Sequence, residues 1–235
     1  MAEAAMLPDN RYASETAQRA ERFHGRIGLC FVASLSVIAG MTDAIGFMAT
    51  GDFVSFMSGN TTRLAVSLSS ENYRLAGHIA MLVAAFIVGN ALGVIAARLV
   101  GRRAWPLLTG IGALLCLCGY LDAGVFAFLL AVIAMGMINA VVEEVNGLSI
   151  GLTYVTGALS RFGRGFGRWL MGERRHGWRV QLVPWSGMLL GATIGAVLAQ
   201  RLGLGAMLIS GGATLLLALA SLMIPRSWQL RYMPK

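Results

Sequence analysis

Eight residues of types that bind or move a solute stand in or beside apolar stretches of the chain: Asp43, Ser58, Asn60, Thr61, Arg63, Asn90, Asn139 and Thr156. They fall in two related sets. Gly40-Met41-Thr42-Asp43-Ala44 is echoed by Gly136-Met137-Ile138-Asn139-Ala140, and Ser58-Gly59-Asn60-Thr61-Thr62-Arg63 by Thr156-Gly157-Ala158-Leu159-Ser160-Arg161. Asp43 is the one member of the first pair that can ionise. It could pair with Arg63, take up a proton as a coupling group, or simply neutralise a buried arginine; Asn139 cannot ionise, so any proton coupling would be asymmetric. Asn60 and Ala158 would start half-helices, whose free backbone N–H groups carry about half a positive charge and can hold an anion or polar solute. Asn60, Thr61 and Thr62 could equally well cap helices or bond between spans. Asn90 is read first as such a bond, and Arg161 as an interface anchor.

These residues need elements to position them, and composition says which. Of 235 residues 57% are hydrophobic and 13% charged, against about 25% charged in a soluble domain. The mean hydropathy is +0.69. This is the composition of an all-α integral membrane protein, long enough for six to eight spans of about 20 residues. Apolar runs lie at about 27–48, 78–99, 105–120, 125–142, 183–200 and 204–224, between a polar segment 1–26 and a basic tail 225–235. Segments 51–70 and 146–160 are too polar or too glycine-rich to cross alone. They read as re-entrant, since non-helical backbone at membrane depth must be covered by protein or line a cavity. Segment 161–180, with arginine interleaved with Trp169 and Trp178, reads as an interfacial helix.

The net charge of +8 is explained by topology rather than by nucleic acid. With the N-terminus inside and both polar segments turning back, six spans remain and 16 of the 19 basic residues are cytoplasmic. Letting both segments cross gives eight spans and moves Arg98, Arg102 and Arg103 outside, against the bias of short loops. Three spans per repeat, 27–121 and 122–224, make the repeats inverted, with sites expected near mid-depth between them; the eight-span alternative makes them parallel. The offset is 98 from Gly59 to Gly157 and 96 from Gly40 to Gly136, and 98 also carries Gly89 and Gly93 onto Gly187 and Gly191.

No His-Glu-x-x-His, phosphate loop or Gly-x-Ser-x-Gly occurs, so no enzyme is expected. Cys30, Cys116 and Cys118 lie in apolar runs, without metal spacing or an expected disulfide. No cofactor is called for. Met1 to Asn10 lacks a basic start followed by an apolar core, so no cleavable signal peptide is expected. The expected partners are the bilayer and a small polar or anionic solute; homo-oligomerisation is compatible with the sequence and not required by it.

The piece Gly40 to Ala44 followed by Ser58 to Thr62, with Thr153-Tyr154-Val155-Thr156-Gly157 later, resembles a bacterial membrane family named after YoaK, domain of unknown function 1275. The resemblance covers about residues 28–222, with Ser58 where threonine is commoner. It implies a multi-pass inner-membrane protein and carries over no functional residues. The expected function is a transporter or channel; the alternative is a non-transporting accessory or scaffold protein.

Overall fold

The computed structural model describes residues 9–121, 124–142, 144–145, 148–149, 155–173, 177–226, 229 and 233. Eight α-helices follow one another among the described residues: α1 (Asp9–Thr50), α2 (Met57–Ser69), α3 (Tyr73–Leu99), α4 (Ala104–Leu121), α5 (Gly124–Met137), α6 (Val155–Leu170), α7 (Leu182–Leu202) and α8 (Met207–Ser221). A two-residue antiparallel ladder, Glu144–Val145 on Leu148–Ser149, is the sole sheet among the described residues. Expectations about residues 1–8 and the greater part of 146–154 lie outside the described residues.

Among the described residues four segments are long and apolar enough to cross a membrane: Gly25–Thr50, Tyr73–Leu99, Ala104–Leu121 and Trp178–Ser221; Gly124–Ala140 is a shorter apolar helix. The last of the four has 44 residues. Unbroken, it would reach about 66 Å, twice a hydrocarbon core of about 30 Å. Gly203, at φ +54°, divides it into α7 and α8.

What holds the bundle is backbone approach at glycine. A Cβ on Gly195 would lie 2.8 Å from the Met41 Cα, and one on Gly191 2.8 Å from the Val37 Cα. Residue numbers rise together along both helices, so α1 and α7 run parallel. A Cβ on Gly89 would come 2.9 Å from the Ile133 Cα and one on Gly93 2.9 Å from the Met137 Cα, so α3 and α5 also run parallel. Gly112 meets Leu215 while Gly119 meets Leu208, so α4 and α8 run antiparallel. These contacts pair the glycines differently from the 98-residue offset. Gly89 and Gly93 match Gly191 and Gly195 by what they touch, one helical turn beyond the 98-residue offset. Gly187 packs instead against Ala33 and Ser36. Glycines four apart make any one-turn slip look alike in sequence; only the packed partner fixes the register.

Large apolar side chains face outward. Ile87, Val88, Ile95 and Leu99 on α3, and Leu189, Leu190 and Val197 on α7, are exposed while their small residues are buried. Small residues inside and large apolar ones outside is the arrangement expected where lipid replaces water. The Thr42 hydroxyl also hydrogen-bonds the Ser210 hydroxyl, tying α1 to α8 in the core.

Some boundaries differ from expectation. α6 runs unbroken across position 160, so the second half-helix and the interfacial helix are one element. The span expected over 125–142 is α-helical only to Met137, then tightens into a 3-10 turn, Ile138–Ala140.

Candidate functional site

Beyond α1 the chain turns at Thr50 and descends beside its own helix. Asp43 causes the descent: its Oδ1 accepts the backbone N–H groups of Val54 at 2.7 Å and Ser55 at 2.8 Å. Asp43 lies seven positions before Thr50, so the loop sinks about 10 Å along α1 before α2 begins. Asp43 is buried and has no arginine partner among the described residues; of its alternative readings, the pairing with Arg63 is replaced by backbone donors. The reason is proximity: the loop passes the carboxylate before α2 carries Arg63 away.

Asn60 sits one turn into α2, fully buried. Its Nδ2 donates to the Phe53 carbonyl at 2.8 Å, bracing the same loop. Its Oδ1 meets no donor among the described residues. That acceptor and the Ser55 Oγ are the two buried side-chain atoms of this segment that have no hydrogen-bond partner among the described residues.

Arg63 finds a different carboxylate. Its guanidinium lies 2.6 Å from Asp52 Oδ1, and His78 Nε2 lies 2.7 Å from Asp52 Oδ2. Asp52 is buried, with its two partners about one-third exposed or less. Asp52 follows the end of α1 and His78 lies in the second turn of α3, so this bridge fixes the start of α3 beside the end of α1. Neither Asp52 nor His78 is among the candidate residues read from the sequence. No short spacing links positions 52, 63 and 78. The available signal was weaker: a carboxylate just past a span end, with an arginine in the polar segment that follows.

The remaining expected site residues lie elsewhere. Asn139 Nδ2 donates to Asn90 Oδ1 at 3.1 Å, a bond from the 3-10 turn after α5 to α3, and Asn90 Nδ2 donates to the Phe86 carbonyl of its own helix. Thr61 is exposed and returns its hydroxyl to the Met57 carbonyl. Ser58 is exposed, and its carbonyl accepts from Thr62. Thr156 is exposed in the first turn of α6. Arg161 donates to Gln181 Oε1 at 2.8 Å, next to the start of α7. The structure therefore brings Asp43 and Asn60 to one loop, with Arg63 bonded beside it through Asp52. It places Asn90 with Asn139, and leaves Ser58, Thr61 and Thr156 on outer faces.

Apolar helices packed through glycine backbones, with apolar faces turned outward, define a multi-pass membrane protein. The chain belongs to the family described as Protein of unknown function (DUF1275), whose model matches residues 31–220, in agreement with the resemblance in the early motifs. It is 47% identical over 223 residues to a UPF0700 transmembrane protein of Rhizobium meliloti (strain 1021), an alignment covering 92% of this chain and 98% of that protein. No solved structure matches.

Proposed function

We propose that the protein is an inner-membrane transporter or channel for a small polar or anionic solute, built as two inverted repeats of three spans plus one half-helix each. The observation that carries this reading is the bridge from Asp52 to His78. It sets the end of α1 and the start of α3 at one end of the bundle, so α2 enters and leaves on the same side. α2 has 13 residues, about 20 Å, too short for a core of about 30 Å. With α1 and α7 parallel, α3 and α5 parallel, and α4 opposed to α8, exchanging α1 with α5 and α3 with α7 maps each pair onto another. α2 lies on α3 as α6 lies on α7. That is the pattern an inverted repeat produces, and such folds place their sites at broken helices.

The solute would meet Asn60 Oδ1 and the loop that Asp43 holds, on the α1–α2 side. Arg63 has its charge compensated by Asp52, which favours a neutral polar solute at this half of the site over a bare anion.

One observation favours the accessory-protein reading: Asp43 Oδ1 is already bonded by two backbone N–H groups, a structural use of the carboxylate. Reconstituted vesicles separate the two. Screening uptake of small polar and anionic solutes, then repeating it with Asp43→Asn and Asn60→Ala, should show transport lost while folded protein is still recovered. Transport unchanged in both variants removes the proposed site and puts the accessory role ahead.

A further inference from the structure

We infer that α6 and the turn after it form a docking surface for anionic phospholipid at the basic end of the bundle. On α6, Phe162, Phe166 and Trp169 recur at i, i+4 and i+7, which is one stripe of a helix; Arg161, Arg164 and Arg168 fall on the opposite side. Ala158 is the one buried residue of the helix. Trp178, in the 3-10 turn Trp178–Gln181, closes the stripe from beyond the helix. Its ring lies 5.1 Å from Phe162, 5.9 Å from Phe166 and 6.4 Å from Trp169. Gly165 makes room for it: a Cβ there would lie 2.9 Å from the Trp178 Cγ. The Arg179 guanidinium stands 5.3 Å over the Trp178 ring.

The resulting ledge is left open. Phe166 and Trp169 are 43% and 46% exposed, and Leu170 and Met171 beyond them 65% and 74%. Arg164 and Arg168 are exposed, and neither forms an ion pair among the described residues. An aromatic stripe on one side of α6 with exposed arginines on the other suits a phospholipid layer, rings at the glycerol level and guanidinium groups toward the phosphates; Arg164 also donates to the Ser160 hydroxyl at 2.8 Å.

Two observations identify lipid as the occupant. The ledge continues into the outward apolar face of α7, where Trp185, Leu189 and Leu190 are exposed, so its neighbour is the acyl region. The end it occupies is also basic. α7 runs parallel to α1, so α6 lies where α1 enters, near Arg26. Arg98 at the end of α3 and Arg226 beyond α8 reach that same end in the arrangement proposed above. The Arg102 guanidinium meets the Met233 carbonyl there, tying the α3–α4 turn to the end of the chain. A net-anionic headgroup is selected because the ammonium of a zwitterionic one opposes these arginines. The inference rests on the inverted arrangement for which leaflet supplies the lipid and for the placing of Arg98 and Arg226 at this end.

The full-length protein in detergent is incubated with equal amounts of phosphatidylglycerol and phosphatidylcholine bearing the same acyl chains. Lipid retained after gel filtration is then quantified by mass spectrometry. Phosphatidylglycerol should be enriched roughly 25-fold, since each of the two arginines near an anionic headgroup strengthens binding about fivefold. Arg164→Gln with Arg168→Gln should abolish the preference, while Arg74→Gln with Arg201→Gln, away from the ledge, should leave it. Equal retention of both lipids, or equal loss in both double variants, overturns the inference. Competition by millimolar glycerol phosphate would also overturn it, since the site would then hold free phosphate. Should the α6 variant not be recovered folded, the wild-type preference must vanish near 1 M salt, where screening acts within about 3 Å; a preference that persists refutes it. Lipid retention needs no solute, so its failure is distinguishable from failure of the transport reading.

Discussion

A carboxylate inside a membrane protein is costly unless something answers it, and the two buried aspartates here are answered in different ways. Asp43 is answered by backbone, Asp52 by side chains. Asn at position 43 keeps an oxygen acceptor, while Leu leaves the Val54 and Ser55 N–H groups buried without one. Each such group costs about 1–3 kcal/mol. Asp43→Leu should therefore lower the thermal midpoint in detergent well below Asp43→Asn, by an amount equivalent to roughly 2 kcal/mol or more. Equal midpoints would mean that the loop is held by other contacts. The presence of Asp43 as a special residue was legible from its polar type inside an apolar run. Its partner was not, because a backbone N–H carries no residue identity that a sequence could display. Asp52 was undervalued for a related reason: its bonds to Arg63 and His78 close over 11 and 26 residues, and no helix or strand period selects those distances.

At the scale of elements, the glycine faces make the fold, and they are not interchangeable with the glycines that face outward. Gly191 packs its Cα on the backbone around Val37, whereas nothing lies within 4 Å of a Cβ at Gly212. Gly191→Ala should destabilise by about 1–3 kcal/mol, the usual cost of overpacking, and Gly212→Ala should be neutral. Thermal unfolding followed by tryptophan fluorescence would read both. A tolerated Gly191→Ala would show that α1 and α7 can separate without loss. The spans themselves were largely legible: apolar runs predicted α3, α4, α7 and α8 to within a few residues, because lipid demands apolar length. The start of α3 was missed by five positions, since Tyr73 to Gly77 forms helix outside the apolar run, capped by the Asn72 side chain on the Leu75 N–H. The junction within α6 was misread because a change from apolar to basic composition was taken for a change of element. One amphipathic helix carries both compositions on different faces.

For the whole molecule, the decisive quantity is the number of crossings before Arg102, because it sets whether the repeats oppose or repeat one another. Charge bias favoured six spans, and two independent contacts argue the same way. The bridge from Asp52 to His78 sets one end of the bundle, and the bond from Arg102 to the Met233 carbonyl brings the α3–α4 turn to the chain terminus at the other. Arg74, in the first turn of α3, and Arg102, just beyond its last, are then separated by the length of that helix, about 40 Å. In sealed inverted and right-side-out vesicles, with Cys30, Cys116 and Cys118 replaced, Arg102→Cys should react with an impermeant maleimide only from the cytoplasmic face. Arg74→Cys should react only from the opposite face. Arg102→Cys labelled from outside would mean that both polar segments cross, making the repeats parallel and removing the geometric case for a site between them. Reaction of both positions from the same face would be incompatible with α3 as a span and would require the bundle itself to be redrawn.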